Sequence, residues 1–186
     1  MTHPKKNPDI EFSRPLAIQD ISEQQPLNKS IKADQEEQEA LAERFDLIEM
    51  SGLTAELTLK REMAGHMVRV DGHFKVDVVQ KCVVTLEPVP DSLDAKFEAF
   101  FTDIKPPTSI VDEVEMKSEI DDPEFVQDGV IDLGELVAQY IALELDPYPR
   151  KGDVHHDLTD DDLPPEQVEK KGKTHRPFEV LKDLKK

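Results

Sequence analysis

The sequence predicts an α+β fold: an antiparallel sheet of at least three strands with two packed helices, carrying a flexible acidic loop and tails. Three observations predict it. Asp34/Glu37 and Asp132/Glu135 both have capping-box spacing ahead of apolar residues at helical intervals. Between them, three stretches alternate apolar and polar residues as half-buried strands do. The acidic and basic runs outside these segments lack an apolar period, so they have little surface to bury against the cost of ordering a chain.

The first helix is predicted from about Asp34 to Ile48, with Ala40, Leu41, Arg44, Phe45, Leu47 and Ile48 at roughly helical spacing and the Ser51-Gly52 pair ending it. Leu53, Ala55, Leu57 and Leu59 then alternate as a strand, and a turn near Ala64-Gly65 reverses the chain. From Val68 to Leu86 the even positions are largely apolar, while the odd ones include Arg69, Asp71, Lys75 and Asp77. This reads as one long antiparallel strand in which Gly72 is a bulge or, alternatively, the hairpin turn itself, and which Pro88 and Pro90 stop. Leu93, Ala95, Phe97, Ala99 and Phe101 give a further strand, ended by Pro106-Pro107. After Ser109 the acidic chain reads as a long loop. Leu133, Leu136, Val137, Tyr140 and Ile141 then form the stripe of a helix packed on a sheet, with Glu135, Gln139 and Glu144 facing water and an end before Pro147.

A chain of 186 residues suits one ordinary domain. Residues 10–149 are expected to form it, and 150–186 a largely flexible tail, first acidic and then basic. With 37% hydrophobic and 34% charged residues a core is affordable, though not one that uses the whole chain. The single cysteine cannot form an internal disulfide, and the opening MTHPKKNPDIEF lacks the apolar stretch of a secretory signal. No apolar run approaches the roughly 20 residues that span a bilayer. A cytoplasmic protein without membrane contact is the expectation.

The net charge of −18 disfavours a chain that embraces a phosphate backbone with its whole surface and favours a basic partner. The charge is uneven. Residues 111–125 carry seven acids and one lysine, and 153–169 carry seven acids with no lysine or arginine. Such blocks are most often solvated chain. The last segment, KKGKTHRPFEVLKDLKK, reverses the sign with Lys170, Lys171, Lys173, Arg176, Lys182, Lys185 and Lys186 against two acids. It either touches RNA or folds back on its acidic neighbour.

Cys82 raises the one question of chemistry. It lies three positions before Thr85, where a redox or zinc-binding Cys-x-x-Cys needs a second thiol. On the even register it shares a face with Val78 and Val84, so a small buried core residue is the expected role rather than a nucleophile or ligand. His155-His156 with Asp153 and Asp157 could hold a divalent cation only loosely, and His66 and His73 stand apart. No phosphate loop, nucleophile elbow, dinucleotide-binding turn or RNA-binding GXXG loop occurs. With 41 acidic residues, chance carboxylate pairs nominate no acid–base catalyst. An interaction protein without enzymatic activity, cofactor or metal is expected.

Five segments together resemble the YceD/DUF177 family: FSRPL, ALAERFDL, VDGHFKVDVVQKCVVTLEPV, IDLGELVAQYIALELDPYPRKG and RPFEVLKDLKK. The VVTLEP form is similar to that found in alphaproteobacteria. The resemblance implies a role in accumulating 23S rRNA and assembling the large ribosomal subunit, and genes of such proteins often neighbour that of a large-subunit ribosomal protein. Many members carry Cys-x-x-C where this chain has Cys82 and Thr85, so any metal or redox role of the paired form is not expected here. The family-like positions are Lys81, Cys82, Leu86, Glu87 and Pro88, with Asp132, Leu133 and Glu135 on the second helix, and they are the candidate partner-binding residues. The implied partner is a large-subunit component. It is either precursor 23S rRNA, contacted by the basic tail, or a basic ribosomal protein that an acidic chaperone-like domain shields without touching rRNA.

Overall fold

The computed structural model describes residues 10–62, 66–104, 123–126 and 128–152. In chain order the elements are β1 (Pro15–Ala17), a single 3-10 turn (Ile18–Asp20), β2 (Leu27–Lys32), α1 (Gln35–Arg44), β3 (Glu49–Glu62), β4 (Met67–Lys81), β5 (Pro88–Thr102), β6 (Glu124–Phe125), β7 (Val130–Asp132) and α2 (Leu133–Glu144). One sheet runs β2-β3-β4-β5-β6, antiparallel as far as β5 with β6 parallel to it, and β1 pairs antiparallel with β7 in a separate two-stranded ribbon. The α+β prediction with two helices and an antiparallel sheet of three or more strands holds.

Alternation decides which face of the sheet is covered. Leu53, Ala55, Leu57 and Leu59 of β3, Val68, Val70, Phe74, Val76 and Val78 of β4, and Phe97 and Phe101 of β5 are buried, and they join Leu41 of α1 and Leu136, Val137 and Ile141 of α2 in one core. The opposite face is laced by cross-strand ion pairs, among them Arg69–Glu98 and Lys75–Asp94. The Lys75 ammonium, with His73 beside it, holds the Asp94 carboxyl down at about 2.

Several boundaries differ from the predicted ones for local reasons. Helix α1 starts where expected, with both halves of the Asp34/Glu37 capping box formed, but it ends a turn early because Asp46 takes a positive φ of 52°. Leu47 and Ile48 lead into β3 instead. Gly52, at φ +70°, sits where the β3–β4 register shifts between Ser51 and Thr54, so it shapes a bulge within the strand rather than a helix end. Gly72 is neither bulge nor turn, since pairing runs unbroken through Leu57, Gly72 and Phe97. Its hydrogen makes room for the Phe97 ring, whose Cζ would lie 2.2 Å from an added Cβ.

Strand β4 ends at Lys81 rather than Leu86. Pro88 does not halt it but opens β5, and Pro90 lies within β5 opposite Val79. The Glu98 carbonyl, of the same parity, accepts from Tyr140 Oη at 2.7 Å. Positions of that parity therefore point away from β4, where a proline costs no ladder bond. Phe97 also stacks on the Tyr140 ring at 4.0 Å, which seats α2 against β5. The turn predicted near Ala64-Gly65, most of the acidic stretch 111–125 and the tail beyond Gly152 lie outside the described residues.

Candidate functional site

The two longest family-like segments meet at one end of the sheet. Residues 82–87 form the turn between β4 and β5, closed by Cys82 N–H to the Glu87 carbonyl and Leu86 N–H to the Cys82 carbonyl, both at 2.9 Å. The segment after α2 lies against it. Val83 N–H donates to the Pro149 carbonyl at 2.9 Å, Gln80 Nε2 donates to the Asp146 carbonyl at 2.9 Å, and Lys151 Nζ pairs with Glu87 at 3.2 Å. Lys151 holds the Glu87 carboxyl below its usual range, with help from the Thr85 hydroxyl. On the other side of the turn Lys81 Nζ donates to Asp46 at 2.5 Å. Pro88 begins the outgoing strand.

Cys82 is fully buried, as expected, but in this turn rather than on the strand face. Thr85 N–H points at its sulfur at 3.4 Å. The Thr85 side chain, then the backbone N–H groups of Lys151, Thr85 and Val84, draw the thiol pKa down from 9.0 to about 6 against the opposing pull of burial. The turn therefore presents donors to a single sulfur. Thr85 closes the position of a second thiol with a hydroxyl. Among the described residues no group of three histidine, cysteine, aspartate or glutamate side chains could hold a metal ion. The outer surface of the turn mixes the polar Thr85 and Glu87 with exposed apolar side chains, Leu86 at 74% and the neighbouring segment's Tyr148 at 70%.

The other candidate residues, Asp132, Leu133 and Glu135, sit at the start of α2. Asp132 Oδ1 caps the helix by accepting from Gly134 and Glu135 N–H at 3.0 and 3.2 Å, and also accepts from Arg14 N–H at 2.7 Å, while Oδ2 accepts from Ser13 Oγ at 2.5 Å. Leu133 is buried, and its N–H donates to the Arg14 carbonyl at 3.0 Å. The Arg14 guanidinium forks onto both oxygens of buried Glu37 at 2.7 and 2.8 Å. Glu135 does not complete a capping box. Its carboxylate takes both Arg44 nitrogens at 2.8 Å, which holds the carboxyl below its usual range. These residues join the FSRPL segment, α1 and α2.

The family described as "Large ribosomal RNA subunit accumulation protein YceD" matches residues 70–185, well over half of the chain. The chain belongs to the YceD family. No curated protein and no solved structure matches it. The matched YceD region takes in most of β4, β5, the turn at Cys82 and all of α2, so it covers the Asp132 cap together with the junction of that turn and the segment after α2. The structure does not bring these two groups of candidate residues into one site, for they occupy separate parts of the domain. The candidate tail residues Lys170 to Lys186 lie outside the described residues. Among the described residues no helix is long and apolar enough to cross a membrane.

The residues that sequence reasoning missed are Ser13, Arg14, Glu37 and Arg44. Arg14 and Glu37 lie 23 positions apart and Arg44 and Glu135 lie 91 apart, so no local spacing announces either pair. The signals were the presence of Ser13 and Arg14 in FSRPL and of Arg44 in ALAERFDL, both family-like segments, and the capping-box spacing that marked Glu37 for a helix start alone.

Proposed function

We propose that this YceD protein supports large-subunit rRNA accumulation by holding a basic ribosomal protein through the negative surface of its folded domain, in the cytoplasm where subunits assemble. The family match supports the ribosomal setting. The observation that carries the choice of partner is the distribution of charge: the last 17 residues contain seven cations and two acids, so the rest of the chain is more negative still than the −18 of the whole. A polyanion meets repulsion from that surface at distances where screening is incomplete, whereas a polycation is drawn to it. No catalytic step is required of such a protein.

The basic tail favours a second reading, direct contact with rRNA. Deleting residues 170–186 separates the two. A domain that grips a basic protein keeps or gains affinity for salt-extracted large-subunit proteins, because a competing run of cations is gone. A tail that grips rRNA loses most affinity for naked 23S fragments on deletion, and with it most of the salt dependence, since roughly one counterion is released per phosphate neutralised. Tight binding of the intact protein to 23S fragments at physiological salt, lost with the tail, would overturn the protein-partner reading.

A further inference from the structure

Between α1 and the first residues of β3 lies a groove of about 560 Å³. Glu39 and Glu43 line its helical wall, four residues apart and so on one face with Cβ atoms about 6 Å apart. Glu49, the first residue of β3, lines the strand side. Ala42, Leu47 and Ile48 contribute apolar surface, and Ile48 is 47% exposed. No lysine or arginine lines the groove.

The charges here are uncompensated, in contrast to much of the domain. Elsewhere carboxylates such as Glu37, Asp46, Glu87, Asp94 and Glu135 are matched to a neighbouring cation. In the groove Glu39 accepts only the neutral amide of Gln35, at 2.8 Å, and among the described residues no side chain pairs with Glu43 or Glu49. The smaller groove beside β6 and α2, about 320 Å³, is also acidic, but of its four acids Asp132 and Glu135 are already taken by Arg14, Ser13 and Arg44, which leaves Glu124 and Asp128.

We infer that the α1–β3 groove is the docking site for a lysine- or arginine-bearing protein segment, whose aliphatic stems lie on Leu47 and Ile48 while its cations reach Glu39, Glu43 and Glu49. Resting on the protein-partner reading above, this names where on the domain the partner sits. The spacing of Glu39 and Glu43 suits cations two apart in an extended segment or four apart in a helix. Long cationic side chains satisfy both halves of the groove at once, since their stems cover apolar surface as their heads remain at the rim. A nucleic acid offers the wrong sign of charge.

The test compares the full chain carrying Glu39→Gln, Glu43→Gln and Glu49→Gln with a control of identical net charge carrying Glu56→Gln, Asp91→Asn and Glu144→Gln, three acids outside the groove. The probes are salt-extracted large-subunit protein and the peptide acetyl-Lys-Val-Lys-Ser-Lys-Val-Lys-amide. The groove variant is expected to lose about tenfold in affinity for both probes and the control under about threefold. Equal losses in the two variants would trace binding to overall charge and overturn the groove while leaving the function reading in place. A native chain that binds 23S fragments but neither basic probe would overturn both. Self-association that the groove variant abolishes would assign the groove to a second copy and overturn the proposal.

Discussion

Leu86 combines two costly features, a positive φ of 62° and a side chain that is mostly in solvent. The left-handed conformation costs a branched side chain about 1 kcal/mol that glycine does not incur. Little burial is lost on truncation. Leu86→Gly is therefore expected to raise unfolding stability by about 0.5–1 kcal/mol in urea titrations, and a lowered midpoint would show that the side chain packs somewhere in the native state. At Cys82 the effect runs with pH. Its folded pKa of about 6 lies below the ordinary 9.0, so ionisation stabilises the fold. That contribution is complete above about pH 9 and lost as pH falls through about 6. The native chain should gain Tm over Cys82→Ser as pH rises across this window, and thiolate absorbance at 240 nm should titrate near the lower end. A midpoint near 9 would show that burial outweighs the surrounding N–H groups.

At the scale of elements, helix α2 is seated by what its second residue lacks. A Cβ on Gly134 would lie 2.0 Å from the Phe12 carbonyl oxygen, which is backbone and cannot swing aside. Gly134→Ala is expected to cost about 3 kcal/mol and to speed amide exchange over residues 12–17, because the helix and the FSRPL segment can no longer both occupy their places. Unchanged exchange there would mean that the two shift together. Elements with a period of their own were readable in advance: α1 by its capping box, α2 by the stripe from Leu133 to Ile141, and β3 to β5 by alternation. Strands β1, β2, β6 and β7 were not, since β1, β6 and β7 have two or three residues each and β2, LNKSIK, has too few apolar positions to show a period. Apolar alternation continues past Lys81, where pairing with β5 stops, so periodicity alone assigns Cys82 to the strand rather than to the turn. Of the candidate site, the residue types were visible in the family-like segments, but the pairings of Arg14 with Glu37 and of Arg44 with Glu135 were not, as the partners are remote along the chain.

Over the whole molecule, the excess of negative charge opposes compaction. Exposed ion pairs such as Lys75–Asp94 add little each and are screened along with the repulsion. With a net charge of −18 the repulsion dominates, so Tm should rise as NaCl goes from about 0.05 to 0.5 M, over which the Debye length shrinks about threefold. A falling Tm would show that the ion-pair ladder on the open face of the sheet contributes more than self-repulsion removes.

The ribbon that joins Pro15–Ala17 to Val130–Asp132 also orders events in time. The β3–β4 and β4–β5 pairings join neighbours in the chain and can close while synthesis is still under way, since short loops are the least costly to form. Residues 15–17 have their strand partner far along the chain, although Arg14 can already reach Glu37 and the Lys32 carbonyl. The β1 residues cannot pair, and the Phe12 backbone cannot meet Gly134, until the residues around Asp132 have been made. A nascent chain halted before that point would hold its central hairpins yet leave residues 15–17 without their strand partner, and the ribbon would close only once β7 and the start of α2 had been made.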